Sequence, residues 1–212
     1  MPFDDTIVLA TACINQPKLE RRPARTLLVG AAILTVRQRF SGWSFDLQCH
    51  STTITDNPAD TMVWLNENLS ASNKRLLVWR AEDIVVPSLI MAGDTARDQV
   101  AAAHMLHQLK TVFAGEVIDV AAAHGGALAT SFDAVAHQHG LPFVPMTRGA
   151  LSEAHRTGCH GAIRDHLAAR AIATWRLWLR WPPGNKALEA STAEWLEGAD
   201  PISAGMNPDP GK

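Results

Sequence analysis

Residues 158–181, GCHGAIRDHLAARAIATWRLWLRW, constrain the fold more than any other stretch. Apolar residues recur there at helical spacing along two neighbouring stripes. Ile163, Leu167, Thr174 and Trp178 follow one, and Ala168, Ile172, Trp175 and Leu179 follow the next. Two adjacent stripes make a broad apolar face, so the segment is expected as a well-buried helix, stopped by Pro182-Pro183-Gly184. Arg170 breaks the pattern. It lies on the first stripe between Leu167 and Thr174, with His166 one turn before it. A guanidinium at such a position must meet an anion, extend its head to solvent, or line a cleft. The helix is therefore a candidate wall of a site, with an ordinary snorkelling side chain as the simpler alternative.

The rest of the chain reads as alternating strands and helices. Residues 6–12 (TIVLATA) and 26–37 (TLLVGAAILTVR) are apolar strands, and Gly30 marks a bulge or a close backbone approach. Trp43, Phe45 and Leu47 alternate with polar neighbours, the pattern of a half-buried strand. Asp56-Asn57-Pro58 opens a helix over 59–70, and residues 74–79 form a fourth strand. A helix over 82–93 has acidic residues at its start, and Pro87 implies a late start or a kink. Asp94 is placed as the N-cap of an Ala-rich helix ending near Lys110. A short strand over 116–120 and helices over 131–139, 149–156 and 161–181 follow. This order is an α/β layout. One domain is expected over 1–182, followed by a largely disordered tail over 183–212 with a short helix at 192–197.

Composition narrows the function classes. The net charge of −2 supplies no global field towards nucleic acid or anionic lipid, so binding of either needs a local basic patch. The most basic stretch is 13–25, with Lys18, Arg21, Arg22 and Arg25 beside Pro17 and Pro23. It reads as a solvated hairpin loop or as a phosphate contact. No apolar run approaches the length of a membrane span, and the acidic N-terminus lacks the layout of a signal peptide. Cys13, Cys49 and Cys159 are scattered and form no disulfide framework, which points to a cytoplasmic protein without a membrane partner. His155, Cys159, His160 and His166 do not follow a common zinc spacing, and His104 and His107 lack a third ligand, so no resident metal is expected. There is no serine-nucleophile motif, and Gly125-Gly126 is not part of a phosphate loop.

The second half of the chain carries a resemblance. Ser131-Phe132-Asp133 and Gly140-Leu141-Pro142 lead to Gly158, Ile163-Arg164, His166, Arg170, Thr174, Leu177 and Leu179-Arg180. In order and spacing this resembles the C-terminal half of DnaQ-like 3′–5′ exonucleases. The nearest branch is the predicted exonucleases related to the proofreading domain of family B polymerases. The resemblance implies an RNase H-like α/β fold, a five-stranded mixed central sheet flanked by helices.

That family cuts by a two-metal mechanism, with hard divalent ions held by four carboxylates. Carried over motif by motif, the resemblance puts Ala10 and Ala12 at the acidic pair of the first strand. Val85 takes the acidic place after the fourth strand, Arg170 that of the last helix, and His166 that of a Tyr. All four carboxylates are replaced. The resemblance thus implies a catalytically inactive exonuclease-like protein that binds nucleic acid or a nucleic-acid-handling partner. Arg80, His166 and Arg170, with Arg21 and Arg22 of the basic loop, are the candidate backbone contacts. One alternative is an active nuclease that binds Mg²⁺ or Mn²⁺ through displaced acids, namely Asp4, Asp5, Glu82, Asp83 and Asp165. The other is a pure protein-interaction module.

Overall fold

The computed structural model describes residues 5–17, 23–40, 42–69, 75–126, 131–181 and 186–198. Five strands form one mixed sheet. Strands β1 (Thr6–Gln16), β2 (Arg25–Arg39) and β3 (Gly42–Ser51) make an antiparallel meander, β4 (Arg75–Val78) runs parallel to β1, and β5 (Val117–Asp119) runs parallel to β4. The order β3-β2-β1-β4-β5 is an RNase H-like layout. The helices are α1 (Asp60–Asn68), α2 (Val86–Asp94), α3 (Gln99–Phe113), α4 (Phe132–Gln138), α5 (Arg148–Thr157), α6 (His160–Leu179) and α7 (Lys186–Gly198). Among the described residues, none of these is long and apolar enough to cross a membrane.

The sheet is buried on both faces, which is why β1 and β2 read as near-continuous apolar runs. Side chains alternate along β1. Val8, Ala10 and Ala12 join a core with Leu34, Ile163, Leu167 and Trp175, on the side of α6. Ile7 and Leu9 join a second core with Met62, Leu65, Leu89 and Met105, on the side of α1, α2 and α3. Both features foreseen at Gly30 are present. The β1–β2 register shifts between Ala12 and Cys13, and a Cβ on Gly30 would lie 2.6 Å from Leu167 Cδ1 and 3.0 Å from the His50 carbonyl. Helix α6 is seated directly on β2 there.

Two expectations are corrected and one is realised. Asp94 closes α2 rather than opening α3. The N-cap of α3 is Asp98, whose carboxylate accepts from the backbone N–H of Val100 and Ala101 at 3.1 and 2.9 Å. Pro87 sits in the first turn of α2, and a π-helical turn, Ala81–Val85, precedes it, so the late start is realised. The C-terminal segment is not simply a tail. Helix α7 buries Leu188 and Thr192 and stacks Trp195 on Phe45 with ring centroids 4.9 Å apart. Trp175 Nε1 donates to Thr192 Oγ1 at 3.1 Å, fixing α7 to α6. Residues 199–212 lie outside the described residues.

Candidate functional site

A cleft of about 360 Å³ opens along β1. Its floor is Leu9 to Asn15 and Trp79, one wall is Ile84, Val85 and Ser88, and the other comes from α5 and α6. Ala10, Ala12, Val85, His166 and Arg170, which lie far apart in the chain, all line it. The fold accounts for this convergence. Ala10 and Ala12 are consecutive positions on one face of β1, and α6 crosses that face. Val85 closes the π-helical turn that follows β4, the parallel neighbour of β1.

Arg170 is half-buried, and its guanidinium carbon sits 4.4 Å from the centroid of the Phe132 ring. Its head makes no ion pair or hydrogen bond among the described residues, while its own carbonyl accepts from Thr174 Oγ1 at 2.9 Å. Burial lowers its pKa, and Asp133 opposes that shift. His166 is also half-buried, with its ring centroid 5.4 Å from that of Phe143. Burial, then the charge of Arg170, lower its pKa against the opposing effects of the Val144 backbone and Asp133. Burial and the charge of Arg170 both favour the neutral ring. Its Nδ1 is buried and has no hydrogen-bond partner among the described residues.

The cleft contains one cation that the sequence reading missed. Arg148 is the first residue of α5, follows the N-cap Thr147, and lines the cleft with Ser152 one turn later. A cation in the first turn opposes the helix macrodipole. That mismatch between residue type and helix position was the available signal.

Other expected contacts are placed elsewhere. Arg80 does not line the cleft. It ends β4 in the left-handed region with φ 56°, and its Nη2 faces Asp83 Oδ2 at 3.4 Å. The carboxylate of Asp119 holds this turn. It accepts from the backbone N–H of Arg80, Ala81 and Ala121 at 2.8, 3.2 and 2.9 Å. Arg21 and Arg22 lie outside the described residues, as does Asp4. Asp5 pairs with Arg37 at 3.5 Å, while Glu82, Asp83 and Asp165 are exposed, and none of these four lines the cleft. Among the described residues, no Asp or Glu lines it. Among the described residues, no group of three or more His, Cys, Asp or Glu is disposed to hold a metal ion. The His/Cys cluster near residue 160 is dispersed as well. His160 Nε2 faces Asp56 Oδ2 at 3.2 Å, and Cys159 is exposed.

The arrangement can offer guanidinium donors from Arg148 and Arg170 to an anion along an apolar strand. No protein-family model matches the chain, and no curated protein matches it.

Proposed function

We propose that the chain is a catalytically inactive 3′–5′ exonuclease-like protein whose cleft holds a nucleic-acid backbone, alone or with a nucleic-acid-handling partner, without cutting it. One observation carries this reading. The cleft lined by Ala10, Ala12, Val85 and Arg170 contains Arg148, His166 and Arg170 and, among the described residues, no carboxylate. Guanidinium forks suit phosphate oxygens, and half-burial strengthens such contacts by lowering the local dielectric. Two-metal hydrolysis needs a compact set of carboxylate oxygens. Of the displaced acids, Asp5, Glu82, Asp83 and Asp165 do not provide one, because they are spread over the N-terminal end of β1, the π-helical turn and the outside of α6.

The test combines binding and turnover on one preparation. End-labelled single-stranded oligonucleotides should bind with an affinity that falls as salt rises, because binding releases counterions. The same oligonucleotides should stay full length with Mg²⁺ or Mn²⁺. Metal-dependent shortening that co-purifies with the monodisperse protein, and disappears on Asp83→Ala or Asp165→Ala, would overturn the reading in favour of an active nuclease. Absence of any oligonucleotide binding would leave the interaction module, for which exposed Ile84, Ile90 and Met91 around α2 offer an apolar surface.

A further inference from the structure

A second cavity, of about 400 Å³, lies at the hairpin end of the sheet, between the N-terminus of α1, the α2–α3 junction and α5. It shares no lining residue with the first cleft. Its most informative wall residue is His155, which is 7 % exposed. His155 Nδ1 lies 3.1 Å from the carbonyl oxygen of Thr52. A carbonyl can only accept, so Nδ1 carries a proton and donates it there. The other ring nitrogen, Nε2, has no hydrogen bond among the described residues. A nine-tenths-buried imidazole, fixed at one nitrogen and unpartnered at the other, faces a cavity large enough for a small organic molecule.

The charges around it favour an anion. Arg25 and Arg97 line the cavity, and neither side chain makes an ion pair or hydrogen bond among the described residues. Among the described residues the one acid on the wall is Asp98, and its Oδ1 is already engaged by two backbone N–H groups as the cap of α3. Helix α1 starts at the same cavity without a side-chain cap, and Asp60 in its first turn offsets the positive end of its dipole. Leu27 and Met62 give the remaining wall an apolar section.

We propose that this cavity binds a small phosphate monoester, its phosphate between Arg25 and Arg97 and against His155 Nε2, its organic part on Leu27 and Met62. A phosphate matches these donors better than a carboxylate does. Its three terminal oxygens serve two guanidinium forks and the imidazole together, where a carboxylate is satisfied by one fork. With the Nδ1 proton given to the Thr52 carbonyl, Nε2 is left as an acceptor, and a phosphate P–OH can donate to it.

The experiment is a titration of the full chain with inorganic phosphate, a nucleoside 5′-monophosphate and benzoate, read by calorimetry and by histidine ¹⁵N shifts. The monophosphate should bind about tenfold more tightly than either of the other two, and the perturbed histidine should be His155. Arg97→Ala removes an exposed side chain outside any ion pair among the described residues, and should weaken binding about tenfold with the melting temperature unchanged. Three results would overturn the proposal. These are monophosphate binding no tighter than benzoate, binding unaffected by both Arg97→Ala and Arg25→Ala, or shifts centred on His166, which would place the ligand in the first cleft.

Discussion

Replacing Arg170 with Ala separates a ligand-facing cation from a structural one. Its guanidinium carbon lies 4.4 Å from the Phe132 ring centroid, and the head makes no ion pair among the described residues. A partly desolvated cation–π contact of this kind is worth about 1–2 kcal/mol. Ala is a slightly better helix former than Arg, which returns a few tenths. No hydrogen-bonded carboxylate is left bare, because Asp119 is committed to three backbone N–H groups and Asp133 acts on Arg170 only through space. The cost of roughly 3–5 kcal/mol for breaking a buried ion pair therefore does not arise. For a domain of this size the net loss corresponds to a fall in Tm of about 2–8 °C. Oligonucleotide binding should weaken, and the slope of log affinity against log salt should shrink by about one per lost phosphate contact. Differential scanning fluorimetry and fluorescence anisotropy across a salt series measure both. A fall in Tm well beyond about 10 °C with binding unchanged would make Arg170 an internal structural cation and refute the argument.

Three further perturbations test the frame around the cleft. Asp119→Ala removes the acceptor of three backbone N–H groups, and a charge-assisted bond is worth about 1.5–3 kcal/mol, so urea unfolding should show a loss on the order of 3 kcal/mol. Gly30→Ala forces a Cβ to within 2.6 Å of Leu167 Cδ1 and should destabilise by about 1–3 kcal/mol, whereas a change inside about 0.5 kcal/mol would mean that α6 is not seated there as described. Burial alone would raise the pKa of Asp56, but the Thr53 hydroxyl and backbone N–H, with His160 and His50, hold it below 3.8. Its contribution to stability is thus present above its unfolded pKa and lost as pH falls through the lower folded value. Thr53→Val should lower stability at neutral pH and flatten the acid limb, and an acid limb identical to that of the parent would contradict this.

The core was legible in the sequence where one periodicity dominated. The runs 6–12 and 26–37 and the stripes of α6 have no competing reading, and Gly30 stood out because a residue without a side chain interrupts an apolar strand. Helix α7 was read short because its buried stripe, Leu188, Thr192 and Trp195, has a polar middle member whose hydroxyl is used by Trp175. The cap of α3 was misplaced because two aspartates, Asp94 and Asp98, precede the Ala-rich run, and local chemistry suits both. Arg80 shows the limit of positional matching for the site. The motif places its Cα near the cleft, but the left-handed turn held by Asp119 directs the side chain towards Asp83. Arg148 was missed for the opposite reason, since no motif includes it and only the folded loop before α5 brings it to the cleft.

The distribution of charge, rather than its total, decides what such a cleft can hold. The chain carries 21 acidic against 19 basic residues, which by itself argues against an anionic partner. Of the acids near the cleft, Asp119 is committed to the backbone of the β4 turn, Asp83 to Arg80 and Asp5 to Arg37, while Asp133 acts on Arg170 and His166 through space. Arg148 and Arg170 have no such commitment among the described residues, and both line the cleft. The charged side chains that line the cleft are thus cationic although the chain as a whole carries −2, and they stand beside an apolar wall of Ala10, Ala12 and Val85. The small side chains at Ala10 and Ala12 leave room along β1, while the cations come from α5 and α6 on the opposite wall. On the reading proposed above, this division of an apolar strand facing cationic helices would hold a phosphate backbone, and no carboxylate among the described residues lines it to ligate two metal ions.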